Sequence, residues 1–465
     1  MTQPKTLEPA QIDQIKKLAS SEFDHVLEVL TDLVKIPGIA WEAFDANQLE
    51  LSANKVKDLL QQTEVFDWVE VRRAPTPEGK TGSPAVLAKR QAKPGYPQIL
   101  LYAHHDVQPP GAESDWQTSP FEATIIDGRM YGRGAADDKA GIVAHLTAIS
   151  FLKQLSAEDQ LNVGITVFVE GEEEAGSPSF RNFLELYQSD LASDVIIVAD
   201  SGNWTSEIPA ITTTLRGLVS QVIEISTLDH AVHSGMYGGV VPDAMLALIK
   251  LLSTLHDENG EVAVQGLVSK NLSDLPYSEA DLRRDSGLLE GVAALGGSNI
   301  LDGIWNRPSI TVIGIDGQTV ALSSNTLLPK VRAKISMRIA PGDTPENGLT
   351  VLRAHLEKHL PFGARLEYGD VEMGSGFEVD GAGWAKASME TALTAAFGQN
   401  SVDIGIGGSI PFIADLKELF PSAQILVTGV EDPDSRAHSP NESLHLETLK
   451  NAIVAETIFL AQCNK

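Results

Sequence analysis

Three short apolar runs, each ending in acidic or histidine residues, constrain this chain more than any other feature. They are "ILLYAHHD" from Ile99, "VGITVFVEGEE" from Val163 and "DVIIVADSG" from Asp194. A strand with one solvated face alternates apolar and polar residues. These runs are apolar on both faces, the pattern of strands buried in a parallel or mixed sheet. Between two of them, "KAGIVAHLTAISFLKQL" carries helical spacing. Strand and helix therefore alternate, which predicts an α/β fold. In such sheets ligand-binding groups collect at the carboxyl ends of strands, where the polar cluster of each run falls.

At 465 residues the chain is long for a single core. Residues 12 to 36 carry a helical period (Ile12, Ile15, Leu18, Phe23, Val26, Leu27, Leu30, Leu33, Val34) that Pro37 closes. The texture changes near residue 216. "VSQVIEIST" reads as a strand, and a helix is expected from about Val241, with Pro242 in its first turn and Met245, Leu248, Leu252 and Leu255 on one face. Strands follow at "SITVIGI" and "KVRAKISMRIA", then a helix with Thr344 as N-cap and Pro345 at its first position, then "ARLEYGDVE". Strand, helix, strand, strand, helix, strand is the split βαβ order of a ferredoxin-like α+β domain, from which residues 257–308 are an excursion. Beyond about residue 374 the α/β pattern returns, with helices near 382–397 and 445–461. The expected architecture is a discontinuous α/β domain with a mixed sheet, residues 1–215 and 374–465, interrupted by the inserted domain at 216–373.

Lys and Arg total 35 against 63 Asp and Glu, a net charge of -28, which argues against nucleic acid or an anionic membrane as partner. The single cysteine, Cys463, excludes a disulfide framework and a cysteine-based metal site. The start of the sequence lacks an apolar signal core, and no run approaches the roughly 18 apolar residues that span a bilayer. A cytoplasmic enzyme acting on small molecules is expected.

Alternation along the first run puts His104 and Asp106 on one side and His105 on the other. A histidine and a carboxylate two apart suit a metal ligand with its orienting acceptor. "YGRGAADDKAG" adds Asp137 and Asp138, "VEGEEEAGS" adds Glu170, Glu172, Glu173 and Glu174, and "VADSG" adds Asp200. Gathered at the strand ends of one sheet, these groups would repel one another unless cations neutralised them. Carboxylates with a few imidazoles suit zinc, manganese or cobalt, and a carboxylate-bridged pair needs about five protein ligands. Spacing alone leaves open the choice between Asp137 and Asp138, and between Glu173 and Glu174.

Other histidines and glycines carry less. "GRGAAD" lacks the third glycine of a dinucleotide fingerprint, and "HLEKH" (His355, His359) lacks the zincin glutamate and reads as a solvated helix face. His25, His145 and His256 have no clustered carboxylates nearby in sequence, and structural roles are expected for them. No Walker loop and no G-x-S-x-G elbow is present.

The ordered motifs H-x-D (104–106), G-R-G-x-x-D-D-K (132–139), E-G-x-E-E-x-G-S (170–177) and a late A-H-S (437–439) span most of the chain. With them the sequence resembles the co-catalytic di-zinc metallopeptidase family that includes carnosinases, bacterial dipeptidases, aminoacylases and succinyl-diaminopimelate desuccinylase. "HHDVQPP", "HSGMYGG", "GGSIP" and "AHSPNE" bring it closest to the carnosinase-like dipeptidase branch. The resemblance implies an aminopeptidase-like catalytic domain and an inserted lid that also dimerises. It also implies two divalent metal ions, zinc foremost with manganese or cobalt as alternatives. Carried over, His104, Asp137, Glu174, Asp200 and His438 become metal ligands, with Asp137 bridging the ions and followed by a cis peptide to Asp138. Asp106 orients His104, and His105 is structural. Glu173 becomes the general base that takes a proton from a metal-bridged water, whose hydroxide attacks the amide and whose proton passes to the leaving amine. His233 stabilises the oxyanion in the other subunit of a homodimer, Arg338 clamps the substrate carboxylate, and Asn325, Gly408 and Ser409 join in binding.

The chain departs from the branch just before "GGSIP". An Arg-Glu pair precedes that turn in the branch, its glutamate meeting the substrate's free amino group, whereas Gly405 and Ile406 stand here. The branch histidine that follows the inserted domain is also missing from "GSGFEVDGAGW". Hydrolysis of a dipeptide or short peptide with a free carboxylate is therefore expected. An N-acyl amino acid amidohydrolase or carboxypeptidase is the alternative that Ile406 favours, and a non-catalytic binding protein is the remaining one.

Overall fold

The Gln98–His104 strand is buried along its whole length, as its unbroken apolar sequence demands. In the computed structural model, which describes residues 5–156, 160–296, 299–379, 383–408 and 411–465, it lies near the middle of a mixed sheet. Gly164–Glu170 and Val195–Val198 flank it in parallel, with His104 level with Glu170 and Tyr102 level with Val198. Gln424–Val427 continues in parallel beyond Val195–Val198. Ala85–Arg90 and Trp68–Arg72 extend the other side antiparallel, which makes the sheet mixed. Four parallel strands therefore end on one edge, and the polar groups that follow them are brought level by the register.

Both faces of this sheet are covered. On one side pack the helices Pro9–Val34, Lys139–Leu155, Trp384–Phe397 and Leu446–Cys463, sharing a core that includes Leu30, Ile99, Leu101, Ile149, Val167 and Phe459. On the other, Tyr102 and Phe168 meet the Phe180–Leu186 helix edge-to-face and stacked, with Phe168 and Phe183 centroids 4.7 Å apart. The Lys139–Leu155 helix is buried almost all round and so reads as apolar rather than amphipathic.

The described residues fall into two compact units. The first comprises Met1–Thr213, Val379–Ile404 and Asp415–Lys465, and the second Thr214–Glu378 and Gly405–Ala414. The second unit holds a four-stranded antiparallel sheet in the order Ser309–Asp316, Lys330–Ile339, Gly217–Ser226, Arg365–Gly374, with helices Ala244–Leu252 and Pro345–His359 packed on it. In chain order this is two-three-one-four, the ferredoxin-like arrangement. Its core joins Val219, Ile223, Leu248, Leu251, Ile335, Met337 and Leu352. The fold is thus a discontinuous α/β domain with an inserted α+β domain.

Two local expectations need correction. The first helix of the second unit starts at Ala244 rather than near Val241, because Asp243 accepts the Leu246 N–H at 2.6 Å and so caps it. Its buried face is Ala244, Ala247, Leu248 and Leu251, whereas Met245 and Leu252 are only partly buried. His355 is buried against Thr254, with Nε2 3.0 Å from its hydroxyl, so only His359 of that pair is solvated. Thr344 and Pro345 begin their helix as expected, the Thr344 hydroxyl accepting from Asn347 N–H.

Candidate metal centre

The edge of the first unit's sheet gathers His104, Asp106, Asp137, Asp138, Glu173, Glu174, Asp200 and His438. His104 closes its strand and is fully buried. Its Nδ1 donates to the Asp106 carbonyl at 3.1 Å and lies 3.5 Å from the Asp106 carboxylate, which leaves Nε2 to face the site. Asp106 also accepts the N–H groups of Glu173 and Glu174, at 3.1 Å each, and so ties the two glutamates to the His104 strand. His105 points away, its Nε2 donating to the Pro84 carbonyl at 2.8 Å. A side chain at Gly171 would run into that same carbonyl and ring, so glycine is required there.

Asp137 stands at the centre. One of its oxygens is 3.0 Å from His104 Nε2 and the other 2.9 Å from His438 Nε2. Glu174 reaches the same His438 nitrogen at 3.1 Å and is held by the Gln108 side chain at 2.7 Å. Glu173 Oε2 lies 4.0 Å from His104 Nε2 on a side chain 20% exposed. The donor atoms of His104, Asp137 and Glu174 lie within 4.8 Å of one another, as do those of His104, Glu173 and Asp200. The peptide between Asp137 and Asp138 is cis. The Asp138 carboxylate instead accepts the His104 N–H at 3.1 Å.

The electrostatics are lopsided. Burial opposes charging of Asp137, but His104 and His438 hold its carboxyl far below the usual range. Asp137 and Glu174 in turn push His438 up to about 11. Burial and neighbouring carboxylates raise Asp138 and Glu173 well above their ordinary values, and bring Asp200 to about 7. This many carboxylates in one buried volume exceeds what two histidines can neutralise. Hard oxygen donors and imidazoles about 3 Å apart are what ligands sharing an ion bonded at about 2 Å present, so the donor set fits divalent cations.

Two supporting carboxylates, Glu442 and Glu431, escaped the sequence analysis, and two that it placed among the acidic clusters, Glu170 and Glu172, are taken up by hydrogen bonds that brace the site. Glu442 is fully buried and takes Arg133, Gly134, Ala136 and Asp137 as donors, fixing the loop that carries Asp137. Glu172 accepts from Ser83 N–H and from the Ser179 N–H and hydroxyl, pinning the turn after Glu170. Glu170 accepts from the Tyr102 hydroxyl at 2.7 Å. Glu431 follows the Gln424–Val427 strand, and burial beside Asp137 and Asp200 raises its carboxyl well above the ordinary range. His145, expected to be structural, is so, but through a buried pairing with Glu456 at 2.8 Å that its sequence neighbours do not show.

In the second unit, His233 pairs across a two-stranded ladder with Thr326, and the Asn325 carbonyl accepts the Ser234 N–H at 2.9 Å. His233 and Asn325 are thereby brought together, both exposed. Arg338 lies on the less buried face of the Lys330–Ile339 strand with Arg332, Lys334 and Ser336, as alternation requires. Gly408 follows the Val402–Ile406 strand, and Ser409 lies outside the described residues. Among the described residues no helix is long and apolar enough to cross a membrane.

Comparison with known proteins agrees with this geometry. Residues 100–461 match the model of the peptidase family M20/M25/M40. The cysteinylglycine-S-conjugate dipeptidase of Corynebacterium striatum is 31% identical over 402 residues, covering 85% of this chain and 87% of that one. The β-Ala-His dipeptidase of Rattus norvegicus is 28% identical over 431 residues, covering 88% and 85%. The structure of human carnosine dipeptidase 1 superposes with a TM-score of 0.75 over 99% of this chain and 100% of that one at 23% identity, and so shares the fold. The chain belongs to the peptidase family M20/M25/M40.

Proposed function

We propose that this protein is a metal-dependent dipeptidase that cleaves the amide bond of a dipeptide or short peptide with a free carboxylate. The observation that carries the reading is Asp137, whose two oxygens face two different histidines and so suit it to bridge two cations. His104 and Asp200 would complete one shell, and Glu174 and His438 the other. Divalent ions held there, zinc foremost with manganese or cobalt as alternatives, lower the pKa of bound water and polarise an amide carbonyl. Glu173, whose side chain is 20% exposed, takes the proton from the attacking water and delivers it to the leaving amine. Asp106 keeps His104 oriented by holding its Nδ1 side.

On the substrate side the proposal assigns Arg338 to the free carboxylate, with Asn325, Gly408 and Ser409 assisting, and His233 to the oxyanion of a partner subunit's site. Arg216, pulled down to about 10 by burial and then by Arg338, supports the first assignment, since two neighbouring guanidiniums attract an anion. Homodimerisation through the second unit is supported by its exposed apolar side chains, among them Val240 at 90% and Val320 at 92%. The names of the two relatives support a dipeptide substrate. The low cysteine content and acidic charge support a cytoplasmic enzyme without nucleic-acid or membrane partners.

Ile406, where a carboxylate would suit a free amine, favours a second reading as an N-acyl amino acid amidohydrolase. The test is product release, followed by mass spectrometry, from matched pools of free dipeptides and N-acetylated amino acids, using metal-reconstituted protein. Cleavage of the free dipeptides is expected. Cleavage of the acetylated pool alone would replace the dipeptidase reading by the second.

A further inference from the structure

We propose that Glu431 is the residue that selects substrates with a free amino group, by pairing its carboxylate with the substrate's ammonium. The inference rests on the dipeptidase reading above and names a recognition element for it.

The position of Glu431 is set by its backbone. It forms a parallel bridge with Gly202, two residues beyond Asp200, and its carbonyl accepts from the Asn203 backbone N–H at 2.8 Å and from the Asn203 side chain at 3.1 Å. The next residue, Asp432, is anchored by both Arg129 guanidinium nitrogens at 2.9 and 3.0 Å. A bracketed backbone of this kind fixes the residue beside the segment that carries Asp200.

The charge around it is equally informative. Asp137, Asp200, Glu442 and His438 are the charged groups around it. Nearby carboxylates are engaged: Asp106 by two backbone N–H groups, Glu442 by Arg133, Asp432 by Arg129, Glu174 by Gln108. No hydrogen bond or ion pair among the described residues engages the Glu431 side chain, and the residue keeps partial exposure. A carboxylate placed so gains most from a cation that arrives from outside.

That cation is better an ammonium than a metal ion. His104, Asp137, Glu174, Asp200 and His438 already furnish the two shells proposed above, so Glu431 is not needed as a further ligand. The groups already close together supply ligands without it. Gly405 and Ile406 offer no charge for a substrate amine, which leaves Glu431 as the carboxylate beside the metal centre without another duty.

The experiment compares kcat and KM of the wild type, E431Q and E431D on one free dipeptide and on the same dipeptide N-acetylated, with bound metal measured by mass spectrometry for each protein. In E431Q the preference for the free over the acetylated substrate should fall roughly 10- to 100-fold, the value of one charge-assisted hydrogen bond, chiefly through KM. E431D, which keeps the charge on a shorter arm, should retain part of the preference, and metal content should match wild type in both. Equal losses on both substrates, or lost metal in E431Q, would overturn the inference while leaving the dipeptidase reading in place. A wild type that cleaves only the acetylated substrate would overturn that reading, and this inference with it.

Discussion

Replacing Glu442 by glutamine changes one atom in a buried network, and its cost can be worked from the contacts. Oε2 of Glu442 receives Arg133 Nη1 at 2.6 Å and Gly134 N–H at 3.0 Å, and Oε1 receives Ala136 N–H at 2.9 Å and Asp137 N–H at 3.1 Å. All four partners are donors, and the glutamine amide has one edge that is itself a donor. Whichever way the amide turns, two donors lose their acceptor. Each buried donor so orphaned costs about 1–3 kcal/mol. Arg133, whose side chain is 1% exposed, also loses its counter-charge, and breaking a buried ion pair from one side costs about 3–5 kcal/mol. The two figures overlap because Arg133 is among the donors, so about 3–5 kcal/mol is the expected total. Urea and thermal unfolding of E442Q should show that loss in the transition of the metal-bearing unit. Because Asp137 N–H is one of the donors, zinc affinity measured by chelator competition should fall about 10- to 100-fold, as for other groups that orient metal ligands. Wild-type unfolding midpoints together with wild-type zinc affinity would refute the argument that Glu442 braces the Asp137 loop.

Two further outcomes follow from the same site. E173Q should keep its metal content and its fold while kcat falls roughly 10²- to 10⁴-fold, the range for a lost general base, and a variant that still turns over would remove Glu173 from that role. Dialysis against a chelator should abolish turnover and lower the thermal midpoint, with zinc, manganese or cobalt restoring both, because a ligand present at 1,000 times its Kd stabilises the folded state by about 4 kcal/mol. A midpoint indifferent to chelator would show that the crowded carboxylates need no cation.

Legibility of this fold followed from burial on both faces. The runs through Ile99, Val163 and Asp194 are apolar throughout because each strand has neighbours on both sides and layers above and below, and the acidic clusters mark where the sheet stops. The helix from Thr344 was equally plain, since a capping hydroxyl and a proline are local signals. The Ala244 start was less so. Asp243 and Pro242 both suit a helix entrance, and only the side-chain hydrogen bond to Leu246 distinguishes the cap.

Within the site the division runs along the chain's own geometry. Glu431 obeyed the rule that exposed the other clusters, since "AQILVTGVED" is another apolar run that ends in acidic residues. Glu442 gave no such sign. Its charged partner Arg133 stands 309 residues away, and neither residue sits at the end of an apolar run. His145 and Glu456, 311 residues apart, are the same case. Groups that bind a ligand inherit their place from the sheet edge, which short-range pattern encodes. Groups that brace those loops are chosen by whichever distant segment packs behind them, and only the folded register brings the two together. The choice of Asp137 over Asp138 belongs to the second kind. Both follow the same glycine-flanked loop, and it is the contacts of His104 and His438 on one carboxylate, and of the His104 N–H on the other, that separate their duties.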